Sequence, residues 1–175
     1  MNFSERWGQL IELLCPDVKR DELIMPSNDI WYKDMRIINI IGHSNSGKTT
    51  LITRLIPLLC EVGSVATIKH MGHHSWKLPE GKDTTIHFET GAQISAGIDL
   101  EKTVLSLRTT DLRDILDFYA WKGYDYAVIE GFKQETFSTV VLGDIEGKNV
   151  ILREASAEEI FAKRDLFDVY VPKKI

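Results

Sequence analysis

Eight consecutive residues carry the clearest chemistry: Gly42-His43-Ser44-Asn45-Ser46-Gly47-Lys48-Thr49. They fit the pattern G-x-x-x-x-G-K-[ST] without a mismatch. Gly42 and Gly47 allow backbone angles that a Cβ would oppose. The chain between them then turns successive N–H groups inward and forms an anion nest. A helix beginning near Lys48 adds its positive N-terminal end. Lys48 is expected to reach the β- and γ-phosphates, and the Thr49 hydroxyl to ligate Mg²⁺. The run predicts a loop for the phosphates of a purine nucleoside triphosphate with Mg²⁺. A chance glycine turn would not need an apolar strand before it and a helix after it, and both are present here.

Such a loop needs an acid on a neighbouring strand to hold the magnesium shell or place a water. Glu130 is one candidate, at the end of Tyr126-Ala127-Val128-Ile129, with Gly131 next, whose N–H could approach the γ-phosphate. Asp83 is the other, although aspartate there also suits a helix cap. Lys69 and Lys133 offer positive charge to an anion. His70, His73 and His74 could bind a transition metal, or serve as phosphate contacts and loop packing. His87, one turn after Asp83, could pair with it. No N-K-x-D stretch for reading guanine and no G-x-S-x-G nucleophile motif occurs.

The elements that must position these residues follow from the apolar periodicity. Arg36–Ile41 reads as a buried parallel strand and Lys48–Glu61 as a helix that Pro57 should kink. Val65–Lys69 reads as a strand, Asp83–Glu89 as a helix, and Ile94–Ile98 and Thr103–Leu107 as strands. Asp111 caps a helix through Trp121, which Gly123 stops. Asp125–Glu130, Thr139–Leu142 and Val150–Arg153 are further strands. Ser156 and Glu159 form a capping box for a last helix, and Val169–Val171 closes as a strand. Alternating strands and helices predict an α/β fold: three layers, α/β/α, around a mainly parallel sheet. Ligands then bind at the carboxyl ends of the strands, so the turns after Ile41, Lys69 and Ile129 share one rim. Residues 1–34 read as a helical extension with an apolar stripe (Phe3, Trp7, Leu10, Ile11, Leu14), and residues 35–175 as the nucleotide-binding domain.

The 175 residues carry a formal net charge of −5, with 43% hydrophobic residues. An acidic surface argues against nucleic acid or an anionic membrane as the main partner. Cys15 and Cys60 are far apart and read as reduced thiols. No secretory signal and no apolar run of membrane-spanning length is found, so a cytoplasmic protein is expected.

Several blocks together resemble the molybdopterin-guanine dinucleotide biosynthesis protein B (MobB) family. They are Gly42 to Leu51, Thr67-Ile68-Lys69-His70 with His73 and His74, Pro79 to Thr84, Gly91-Ala92, and Val128-Ile129-Glu130-Gly131-Phe132-Lys133. They keep the family's order over about residues 35–145. The resemblance implies a usually dimeric GTP-binding protein with weak GTPase activity. It would work beside a guanylyltransferase that joins molybdopterin to GMP, close to the molybdenum cofactor. It implies that Gly42, Ser44, Asn45, Ser46, Gly47, Lys48, Thr49 and Thr50 hold phosphates and Mg²⁺. It makes Asp83 and Glu130 magnesium-shell or water-positioning acids, with Lys69, His70 and Lys133 lining the rim. One departure is that Glu135-Thr136-Phe137-Ser138 stands where the family usually has a Pro-Lys pair. A small-molecule kinase would use the same loop, but the chain has no Arg-rich lid segment. A metallochaperone GTPase would use the three histidines.

Overall fold

A computed structural model describes residues 34–72 and 77–172. The expected helical extension, Cys15, His73 and His74 therefore lie outside the described residues. The elements run β1 (Met35–Gly42), α1 (Lys48–Cys60), β2 (Val65–Lys69), α2 (Asp83–Glu89), β3 (Ile94–Ile98) and β4 (Thr103–Leu107). They continue with α3 (Leu112–Trp121), β5 (Tyr126–Glu130), β6 (Thr139–Leu142), β7 (Val150–Arg153), α4 (Ala157–Ala162), a 3₁₀ turn and β8 (Val169–Tyr170).

Five strands form a parallel sheet in the order β2-β5-β1-β6-β7. The short β8 pairs antiparallel with Met35 and Arg36, below the point where β6 meets β1 at Asn39. Successive side chains of a strand point to opposite faces, and β1 is apolar on both. Ile38 and Ile40 pack with Leu51, Leu55 and Leu59 of α1 and Ile160 of α4. Met35 and Ile37 pack with Leu112, Leu116 and Ala120 of α3. A strand buried on both faces needs a continuous apolar run, and that is why its sequence shows no alternation. The result is the expected three-layer α/β/α arrangement.

Local signals place the helix ends. The Asp111 side chain accepts from the Arg113 N–H at 2.8 Å and starts α3. Ser156 accepts from the Glu159 N–H at 3.2 Å and starts α4. Helix α1 runs on through Pro57. One part differs from the expected α/β alternation. Strands β3 and β4 stay out of the main sheet and pair antiparallel with each other. Helix α2 covers one face of this hairpin: the Ser95 hydroxyl donates to Thr84 O at 2.8 Å, and Arg108 lies 4.4 Å from the Phe88 ring. The other face carries Ile94, Ile98, Leu105 and Leu107, and all four are exposed. The hairpin adds nothing to the two apolar clusters of the main sheet. No described helix is long and apolar enough to cross a membrane.

Candidate functional site

The glycine-rich loop leaves the carboxyl end of β1 and enters α1 at Lys48. Two of its residues need left-handed backbone: Asn45 at φ 62° and Gly47 at φ 85°, the residue that precedes the helix. Asparagine tolerates this region and glycine adopts it freely. Gly42 is fixed by space. A Cβ there would lie 2.7 Å from the Leu142 carbonyl oxygen and closer still to the Ser46 hydroxyl. Ser44 and Asn45 are exposed, as are Thr49 and Thr50 on the first turn of α1.

Lys48 turns back over this loop. Its Nζ donates to Gly42 O at 3.3 Å, to His43 O, and to the Ser46 hydroxyl at 3.4 Å. Its pKa is lowered, first by burial, with Lys133 and Lys69 adding to the shift and Glu130 opposing it. So three lysines share the field of one carboxylate at the mouth of the loop. In an acidic chain, such a local excess of positive charge suits a polyanion.

Glu130 ends β5 next to β1 and is buried, 8% exposed. Lys69 stands opposite it on β2, with Nζ 3.1 Å from Glu130 Oε1. His70 follows, its N–H bonded to Glu130 O at 2.8 Å and its ring 5.2 Å from that of Phe132. Gly131 adopts φ 90°, but its N–H donates to Ile40 O at 2.9 Å. That proton completes the β1–β5 ladder, so the expected approach of this N–H to a γ-phosphate does not fit the arrangement. Lys133 is exposed at the same mouth.

Asp83 lies on α2, which packs against the β3–β4 hairpin. It is the first residue of α2, exposed, and makes no ion pair with His87 among the described residues. Its side chain does not cap the helix either. Lys48 feels Glu130, Lys133 and Lys69. The fold thus brings Lys48, Lys69, Glu130, Gly131, His70 and Lys133 together with the loop, and Asp83 begins the helix that packs on the hairpin. No group of three metal-ligating side chains occurs among the described residues.

Sequence reasoning passed over Asn39. This asparagine sits in the middle of the isoleucine-rich β1 and is 1% exposed. Its Nδ2 donates to Phe132 O at 3.2 Å and to the Thr139 hydroxyl at 3.0 Å. It ties the Glu130-Gly131-Phe132 turn to β6. The signal was available: a lone amide in a buried strand requires partners. The Glu135-Thr136-Phe137-Ser138 departure also has a physical reading. Glu135 pairs with Arg113 of α3 at 3.1 Å, and the same guanidinium lies 4.5 Å over the Phe137 ring. The segment is anchored inward on α3.

The donor set fits a magnesium–triphosphate complex. Thr49 supplies a hydroxyl and Glu130 a carboxylate, hard oxygens of the kind Mg²⁺ takes beside substrate phosphates.

Comparison with known proteins agrees with this geometry. The family model described as molybdopterin guanine dinucleotide synthesis protein B matches residues 37–163. A probable molybdopterin-guanine dinucleotide biosynthesis adapter protein of Bacillus subtilis is 34% identical over 110 residues, covering 61% of this chain and 64% of the relative. A putative adapter protein of the same description from Methanocaldococcus jannaschii is 33% identical over 122 residues, covering 67% and 51%. The chain thus spans between half and two thirds of the length of these curated relatives. The crystal structure of Bacillus subtilis MobB superposes with a TM-score of 0.56 at 28% identity, covering 71% of this chain and 83% of that one. The MobB homologue from Bacillus stearothermophilus shares the fold, with a TM-score of 0.52 at 23% identity, covering 75% and 94%. On the matched residues, which include the phosphate loop, Lys69 and Glu130, the chain belongs to the molybdopterin guanine dinucleotide synthesis protein B family.

Proposed function

We propose that this chain is a GTP-binding adapter with slow Mg²⁺-dependent GTPase activity in molybdenum-cofactor maturation. It would act beside the guanylyltransferase that joins molybdopterin to GMP, and close to the cofactor itself. The observation that carries the reading is the cluster of Lys48, Lys69 and Lys133 around Glu130 at the mouth of the phosphate loop. The adapter names of the relatives support the pathway.

In this reading Lys48 exchanges the carbonyls of its own loop for the β- and γ-phosphate oxygens. The loop N–H groups and the start of α1 hold the remaining charge. Thr49 and Glu130 would hold Mg²⁺, which supplies charge neutralisation at the phosphates. Alternatively Glu130 would orient a water for in-line attack, with Lys69 balancing its charge. Asp83 would be the second acid of the magnesium shell or of water positioning. Slow turnover is expected because no obvious arginine finger is supplied among the described residues. Arg54, on α1, is exposed and lies in the field of Glu158.

A homodimer is part of the proposal. The bare face of Ile94, Ile98, Leu105 and Leu107 is contiguous on one side of the hairpin, and a second copy would remove it from water. Cytoplasmic residence accords with reduced cysteine and a nucleotide partner, neither of which needs membrane or nucleic acid.

The test is thermal unfolding with GTP, GDP or ATP, each with and without Mg²⁺. Ligand at about 100 times its dissociation constant adds roughly 2.7 kcal/mol. Stabilisation by GTP–Mg²⁺ that is lost in Lys48→Ala supports the reading. Stabilisation by ATP alone favours a small-molecule kinase instead. Stoichiometric Ni²⁺ or Zn²⁺ binding would favour a metallochaperone.

A further inference from the structure

The phosphate loop has a strand on each side. Glu130, the acid suited to the γ-phosphate, stands at the end of β5 on one side. A triphosphate lying with its γ end there directs its nucleoside the other way, across the ends of β6 and β7. The base-reading group should therefore stand on the rim just after β6 or β7. No N-K-x-D stretch supplies it.

Glu154 is the first residue after β7. It is exposed and adopts φ 49°, a left-handed conformation that a non-glycine residue holds only when its surroundings fix it. Two contacts hold it there. Its N–H donates to Val141 O at 3.0 Å, and its Oε1 accepts from the Gly143 N–H. Gly143 follows β6 directly and faces the phosphate loop: a Cβ on it would lie 3.9 Å from His43 Cδ2. Arg153 steadies the same turn by donating to Ile145 O at 3.2 Å. The carboxylate is thus fixed on the nucleoside side of the loop. Its two oxygens offer about four acceptor sites, of which Gly143 fills one.

We propose that Glu154 reads the base and selects guanine, accepting hydrogen bonds from the guanine N1–H and exocyclic amine. Adenine presents neither donor arrangement: its N1 is an acceptor, and would face the carboxylate unpaired. The proposal rests on the reading of the phosphate loop as a nucleotide site.

The test is calorimetric titration of wild type and Glu154→Gln with GTP, ITP, XTP and ATP, each with Mg²⁺. Glutamine keeps a carbonyl oxygen for the Gly143 N–H, and thermal melting checks that the fold is intact. It also places an amide donor against the 2-oxo group of xanthine. The expected result is GTP affinity reduced about tenfold to a hundredfold and XTP affinity raised, so that their order narrows or inverts. In wild type, ITP, which lacks the exocyclic amine, should fall between GTP and ATP. Asp144→Asn and Glu146→Gln, the neighbouring exposed carboxylates, should leave the ratio unchanged. A GTP to XTP ratio unaltered in Glu154→Gln, or altered instead in either neighbour, overturns the assignment while the nucleotide site stands. If wild type bound none of the four and Lys48→Ala changed nothing, the nucleotide site and this inference would fall together.

Discussion

Lys69 Nζ lies 3.1 Å from Glu130 Oε1, across the β2–β5 pair in which the two residues stand directly opposite. The lysine is half exposed and the carboxylate nearly buried, so the pair sits at the boundary of sheet and solvent. If Glu130 orients water, Glu130→Gln should slow single-turnover GTP hydrolysis by about a hundredfold or more while leaving GTP binding within a few-fold. Lys69→Ala should weaken binding by about tenfold, because a cation at the mouth is lost. Asp83→Asn should cost less than Glu130→Gln in both assays. Equal losses would mean that Asp83 and Glu130 share the work.

Nucleotide affinity should fall at high pH earlier than an ordinary lysine would dictate. Burial lowers the Lys48 pKa in the free protein. Bound phosphates favour its charged form and raise that pKa. The contribution of Lys48 is therefore complete below its free-state pKa, declines as pH rises above it, and is gone once pH passes the raised bound-state pKa. Titration of GTP binding from neutral to alkaline pH checks this, with Lys48→Arg expected to flatten the decline.

The loop has no room for a side chain at its first glycine. Gly42→Ala should abolish GTP binding, since the Leu142 carbonyl 2.7 Å away belongs to the sheet and cannot give way. Equilibrium titration, with circular dichroism confirming the fold, checks it.

Asn39→Ala should destabilise by about 1–3 kcal/mol, because Phe132 O and the Thr139 hydroxyl lose a buried donor. For a chain of this length each kcal/mol lowers Tm by about 2–4 °C. Calorimetry reads the shift. Glu130 positioning should suffer too, seen as slower hydrolysis beyond the stability loss.

Leu105→Asp on the bare hairpin face should yield monomer in sedimentation velocity while leaving GTP affinity intact. An unchanged association state would exclude this face as the dimer contact.

Much of the fold was legible because its strands are short apolar runs bounded by glycine or acid, and two of its helices start at side-chain caps, Asp111 and Ser156. Val65–Lys69, Asp83–Glu89 and Thr139–Leu142 were read residue for residue. The pairing of β3 with β4 alone was not legible. Periodicity gives a strand but not its neighbour, and the exposed Ile94 and Ile98 look like core residues in a sequence. At the site, the loop and the rim lysines followed from spacing. The engagement of the Gly131 N–H by Ile40 did not, since it depends on which strand lies beside β5. Nor did the packing of α2 on the hairpin, where the Ser95 hydroxyl donates to Thr84 O.

The strand order also sets a timetable for synthesis. Among the described residues the first strand is β1, and it pairs there with β5, β6 and β8. Its partners begin at Tyr126, so every ladder it joins must close a long stretch of chain. While the ribosome is still translating the hairpin and α3, the phosphate loop exists as sequence without a sheet to hold its shape. A nascent chain halted before Glu130 should be unable to retain nucleotide, and competence should arrive abruptly once β5 emerges and slides between β1 and β2.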